Sequence, residues 1–138
     1  MNEFFDRLAE MNSGKTIILY VHGSKDPRWR GTFECFTKTL KEQLPGKKIS
    51  LAYMEFVRPA LGDVIKEGYQ KYERDFLLIP LFMAGGAHIA KDLPEQVAQA
   101  KAEFPDVKIQ IKPPIGEHPK VFEVMREVIS AYVNQNGA

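Results

Sequence analysis

His22, Glu55 and His88 are evenly spaced, with 33 residues from the first to the second and 33 from the second to the third. Two imidazoles and a carboxylate form a set with two chemical uses. Neutral imidazole is the commonest side-chain ligand for divalent first-row metals, and a carboxylate is its usual companion. The same groups accept protons near neutral pH. A lone histidine at a strand end is more often a capping or hydrogen-bonding group. A lone glutamate there is more often a solvated charge. The three carry meaning only if the fold brings them to one edge.

The elements that would do so are legible. The run TIILYV at 16–21 is apolar throughout and suits a strand buried on both faces. After Pro27, the residues Phe33, Phe36, Leu40 and Leu44 repeat at helical spacing, and Pro45-Gly46 ends that helix. Cys35, beside Phe33 and Phe36, is expected to pack in the interior. A second strand reads over 48–56, and a helix with the stripe Leu61, Val64, Ile65 and Tyr69 starts at Pro59. A third strand spans 75–82. The glycine-rich stretch MAGGAH at 83–88 is a loop, and a helix runs from about Ala90 to Phe104. A fourth strand at 107–111 precedes a last helix bearing Val121, Met125, Val128, Ile129 and Tyr132. A short amphipathic helix fits residues 3–11, ahead of an Asn-Ser-Gly turn.

The order is βαβαβαβα with steps of about thirty residues, the usual size of a βαβ unit. The fold expected is α/β: an open parallel four-stranded sheet with helices on both faces. Residues 16–138 make one domain, and 1–15 read as an N-terminal extension. In such sheets ligands bind at the carboxyl ends of the strands. His22 ends the first strand, Glu55 the second, and His88 closes the loop after the third. His118, before a proline, reads as a helix-start residue.

Bulk properties exclude other classes. Nineteen basic and eighteen acidic residues leave a net charge of +1, which gives no argument for nucleic acid. No apolar run approaches the roughly 20 residues of a membrane span. The first fifteen residues carry acids early and no apolar core, unlike a signal peptide. The single cysteine fits a cytoplasmic setting. SGKT at 13–16 precedes a strand and has Ala9 where a phosphate loop needs glycine. There is no G-x-S-x-G, no G-x-G-x-x-G and no C-x-x-C. Gly85 and Gly86 let the backbone pass close to a flat ligand.

The segments HGSKDP at 22–27, AYMEFVRPAL at 52–61 and IPLFMAGGAHIAKDLP at 79–94 together resemble the sirohydrochlorin chelatases. These are the class II, ATP-independent cobaltochelatases and ferrochelatases of cobalamin and siroheme synthesis, with a nickel-inserting relative. The likeness runs from about residue 16 to 135, and the length is that of the short single-domain form, which pairs as homodimers. The resemblance implies metal-binding and proton-accepting roles for His22, Glu55 and His88, with His22 and His88 holding the ion. It implies a tetrapyrrole in the cleft above the strand ends. The metal (cobalt, iron or nickel) is then a substrate, and no permanently bound cofactor is implied. Lys25 stands where arginine is common in the family. A tetrapyrrole of this family carries many carboxylates. Lys25, Arg28, Arg30, Arg58 and Lys91 flank the cleft and are candidates to pair with them, alongside Ser24, Gly85 and Gly86. Trp29 is expected to cover the first helix. The other reading is a carrier or sensor that holds metal or tetrapyrrole without inserting it.

Overall fold

The computed structural model describes residues 14–135, with His88 represented by its backbone alone. The helix expected over 3–11 lies outside the described residues. Strands β1 (Thr16–Val21), β2 (Ile49–Tyr53), β3 (Asp75–Pro80) and β4 (Lys108–Ile111) form one sheet in the order β2-β1-β3-β4. Every pairing is parallel. Helices α1 (Pro27–Gln43), α2 (Leu61–Gln70) and α3 (Ala87–Glu103) connect the strands. A 3-10 turn at Ile115–Glu117 leads into α4 (Pro119–Gln135). This is the α/β architecture expected.

Right-handed crossovers put α1 on one face of the sheet and α2 with α3 on the other. Burial follows this division. Alternate residues Ile18 and Tyr20, Ala52 and Met54, and Phe76 and Leu78 form one core with Leu61, Val64 and Ile65 of α2 and Leu93 and Ala100 of α3. Each large side chain fully buried there contributes about 1.5–3 kcal/mol. β1 is central and almost wholly buried, so its apolar run has no alternation to show.

On the opposite face α1 packs on β2. Its inward stripe is Phe33, Thr37 and Leu40, of which Thr37 is buried and the other two half-buried. Cys35 is exposed, against expectation. It lies about 200° around the helix from Phe33, so the stripe that faces the sheet carries it outward. Phe36, about 60° from Phe33 on the flank of that stripe, is exposed as well.

Two helix starts also differ from expectation. α2 begins at Leu61 rather than Pro59 because Asp63 caps it from within: its carboxylate accepts the Ala60 N–H at 2.8 Å. α3 begins at Ala87, earlier than expected. Gly86 is extended and ends the loop, and the Ala90 N–H already donates to the Gly86 carbonyl at 2.9 Å. His88 therefore sits in the first turn of α3, not in the preceding loop.

The amino-terminal end of the sheet is tied by a buried carboxylate. Glu73 accepts the Thr16 hydroxyl at 2.7 Å and pairs with Lys48 at 3.4 Å. Gly68 opposes it so closely that a β-carbon would lie 2.7 Å from its Oε1 and 2.9 Å from the Phe76 ring. α4 contrasts with the other helices, since none of its residues is buried. Its main neighbour is the 3-10 turn. Val128, Ile129, Tyr132 and Val133 are exposed along it, and Leu77 and Ile79 of β3 are only half-buried. Among the described residues no helix is long and apolar enough to cross a membrane.

Candidate functional site

The strand order creates a switch point. β1 leads left to β2 and β3 leads right to β4, so the connections diverge between the ends of β1 and β3. Open α/β sheets bind ligands in the crevice this leaves. His22 follows β1 directly and is exposed at that crevice. Its ring meets the buried Phe82 ring edge-on, with centroids 4.0 Å apart. Such a contact fixes the plane of the imidazole.

Glu55, two residues past β2, is exposed beside it. Its N–H donates to the His22 carbonyl at 3.0 Å, and the Met54 N–H donates to Val21 at 2.8 Å. The β1–β2 ladder thus continues past both strands and holds the histidine and glutamate backbones side by side. Gly23 makes this joint possible. It has φ +101°, and a β-carbon there would fall on the Glu55 carbonyl oxygen. Phe56, at φ +73°, then turns the chain away and leaves its ring exposed. On the other side of β1, β3 leads through residues 81–86 to His88 in the first turn of α3. The backbone therefore brings all three predicted positions to one edge, with His22 in the centre. Among the described residues no three His, Cys, Asp or Glu side chains form a metal cluster, and the His88 side chain is not one of those described.

The basic candidates are mostly engaged with carboxylates. Arg28 makes a two-pronged contact with Asp26, at 2.9 and 3.2 Å, as Asp26 caps α1. The Arg28 guanidinium, and then its backbone N–H, hold the Asp26 carboxyl below its usual range. Arg30 pairs with Glu34 at 3.3 Å along α1. Arg58 binds Asp63 through two hydrogen bonds of 2.8 and 2.9 Å. The Lys25 ammonium lies 5.6 Å from the centroid of the Phe56 ring. Lys91 is exposed on α3, as are Gly85 and Gly86 before it. The Ser24 hydroxyl accepts the Asp26 N–H at 3.1 Å and so shapes the turn into α1. Trp29 packs over α1 as expected, 4.7 Å from Phe33 and 6.2 Å from Tyr53 between ring centroids. His118 accepts the Lys120 N–H on Nδ1 at 3.1 Å, the role of a helix-start residue.

Several participants escape sequence reasoning. Phe82, under the imidazole, reads only as a core aromatic. Tyr20 lies fully buried beneath the crevice, and its hydroxyl donates to Gln96 Oε1 at 2.7 Å. Burial, with the Asp92 and Glu55 carboxylates adding to it, pushes the Tyr20 phenol well above its usual range. A cavity of about 440 Å³ lies at the opposite end of the sheet among Lys41, Lys47, Lys48 and Glu73. A groove of about 420 Å³ lies beyond β3 and β4, lined by Ile79, Pro113, Pro114, Ile115 and His118.

Residues 16–132 match the CbiX family model. The sirohydrochlorin cobaltochelatase of Sulfurisphaera tokodaii is 26% identical over 111 residues, covering 80% of this chain and 88% of that protein. The sirohydrochlorin cobaltochelatase of Priestia megaterium is also 26% identical, over 81% of this chain, which spans only 36% of that protein. A CbiX protein from Marinobacter aquaeolei VT8 superposes with a TM-score of 0.78 at 32% identity, over 88% of this chain and 99% of that one. The sirohydrochlorin chelatase SirB of Bacillus subtilis subspecies spizizenii, solved with cobalt, has the same fold. Its TM-score is 0.74 at 23% identity, over 86% of this chain and 51% of SirB.

Proposed function

Because this chain belongs to the CbiX family, we propose that it inserts a divalent metal ion into a sirohydrochlorin-type tetrapyrrole without ATP. The observation that carries the reading is the joint between His22 and Glu55 at the switch point, with the start of α3 across from it. Metal insertion requires the ion to shed water and two pyrrole N–H protons to leave. His22 and His88 hold the incoming ion, and Glu55 orients a histidine or takes a proton. The metal is a substrate, and no resident cofactor takes part. Cobalt is the ion in the relatives' names, and iron(II) or nickel(II) suit the same ligands, since selectivity follows geometry and supply. The reaction belongs to cobalamin or siroheme synthesis and takes place in the cytoplasm. Lys25 and Lys91, with Ser24, Gly85 and Gly86, meet the macrocycle and its carboxylates. Arg28, Arg30 and Arg58 do so by exchanging their present carboxylate partners for those of the substrate.

The test is to mix purified protein with sirohydrochlorin and cobalt(II) and follow the absorption spectrum. The expected result is insertion far above the uncatalysed rate. Tetrapyrrole binding without acceleration would instead make the protein a carrier.

The functional form we propose is a homodimer. The matched part of this chain spans only 36% and 51% of the two longer relatives, and α4 presents an apolar face that no other described residue buries. A second copy covers that face. Ile129→Asp, on an exposed position of α4, is expected to halve the mass measured by light scattering while leaving the helical circular dichroism in place. An unchanged mass would remove α4 from the interface.

A further inference from the structure

One side chain of α3 hydrogen-bonds to a residue at the end of β1 and to another just past β2. Gln96, half-buried, accepts the Tyr20 hydroxyl on Oε1 at 2.7 Å and donates from Nε2 to the Met54 carbonyl at 3.2 Å. Tyr20 lies two residues before His22, and Met54 one residue before Glu55. Gln96 is carried by the same helix as His88, two turns further on.

The Met54 bond matters most because of the peptide plane it belongs to. The Met54 C=O and the Glu55 N–H are the two ends of one planar unit. The N–H end donates to the His22 carbonyl at 3.0 Å, and the C=O end accepts from Gln96. With both ends held, the plane cannot rotate, and the Cα of Glu55 is set relative to His22. The polarity of the amide is set as well. A hydroxyl donor at Tyr20 keeps the Gln96 oxygen on that side and turns the NH2 group toward Met54. Phe56 follows Glu55 at φ +73°, a backbone region that non-glycine residues seldom occupy. A strand exit of this shape needs support from outside its own strand.

We infer that Gln96 is a positioning residue, which clamps the Met54–Glu55 peptide and thereby aligns Glu55 with His22 and with the helix that carries His88. This rests on the chelatase reading for its consequence in catalysis, though not for its structural content. A side chain that only filled space would be replaceable by methionine at little loss. The clamp would not survive that change, because methionine offers no donor to the Met54 carbonyl. Glutamate separates the two bonds: it still accepts from Tyr20 but presents a carboxylate to the Met54 carbonyl.

The experiment compares Gln96→Met, Gln96→Glu and a control, Gln99→Met, on the exposed side of α3. Two readouts are taken on the full chain well below its melting temperature. The first is hydrogen exchange of the Glu55 amide. It should speed up at least tenfold in both Gln96 variants, with the Ile18 and Leu78 amides unchanged. The second is cobalt insertion into sirohydrochlorin. Both variants should lower kcat about tenfold with KM for the tetrapyrrole within twofold, and Gln99→Met should behave as wild type. Unchanged Glu55 exchange in Gln96→Met overturns the clamp. Exchange that accelerates equally at Ile18 and Leu78 overturns it too, since the residue would then be merely structural. A wild-type protein that inserts no metal defeats the chelatase reading, while the exchange measurement still decides the clamp.

Discussion

Gly23→Ala is expected to destabilise the domain by about 4 kcal/mol or more. Two effects act together. The backbone at φ +101° strains any residue with a β-carbon, and the added carbon would collide with the Glu55 carbonyl oxygen. That oxygen is part of the backbone, so relief requires moving the strand exit itself. The hydrogen bond from Glu55 N–H to His22 would open as a result. Domains of this size are stable by about 5–15 kcal/mol, so the variant is expected to unfold early in urea and to lose its site before it loses its sheet. Equilibrium urea denaturation followed by circular dichroism measures the first, and Glu55 amide exchange the second. A variant within about 0.5 kcal/mol of wild type would show that the joint relaxes freely, below the usual effect of a core change.

His22→Ala has the opposite profile, a large loss of activity with little loss of stability. Removing a group that ligates the ion or moves a proton lowers rates by about a hundredfold or more. The ring's contact with Phe82 accounts for only about 0.5–1.5 kcal/mol, and His22 lies on the exposed edge. Insertion of cobalt into sirohydrochlorin should fall at least a hundredfold while the melting temperature drops by only a few degrees. Insertion within threefold of wild type would take His22 out of the mechanism.

The contrast between these two neighbours bears on what a sequence reveals. The strand TIILYV and the histidine that ends it were plain from residue types, because a doubly buried strand has to be continuously apolar. The parallel order of the elements followed from their regular steps. The alignment of His22 with Glu55 was visible as a spacing, but its cause was not. That cause is a backbone bond between residues 33 apart, and it uses no side chain at all. Gln96 gave no signal because an amide on a helix looks like solvated surface until its partners are known. Cys35 misled because Phe33 and Phe36 flank it, and only the position of the sheet shows that the inward stripe runs through Thr37. β2 stops at Tyr53, short of the expected 56, because Phe56 takes up a left-handed conformation that apolar composition does not announce. The apolar stripe of α4 was easy to see, and its exposure was not, because periodicity reports an apolar face without saying what covers it.

Trp29 is the only tryptophan in the chain, and it leans on Tyr53 at the end of β2. Glu55 is two residues away. The protein therefore carries one indole fluorophore, placed at the rim of its own site. Its emission isolates a single location, with no other indole to blur it. Opening of the α1–β2 contact changes the solvent around the indole, and a strongly coloured macrocycle seated in the crevice drains its excited state. Unfolding and ligand arrival can thus be followed on the unlabelled chain, in real time, through the same ring.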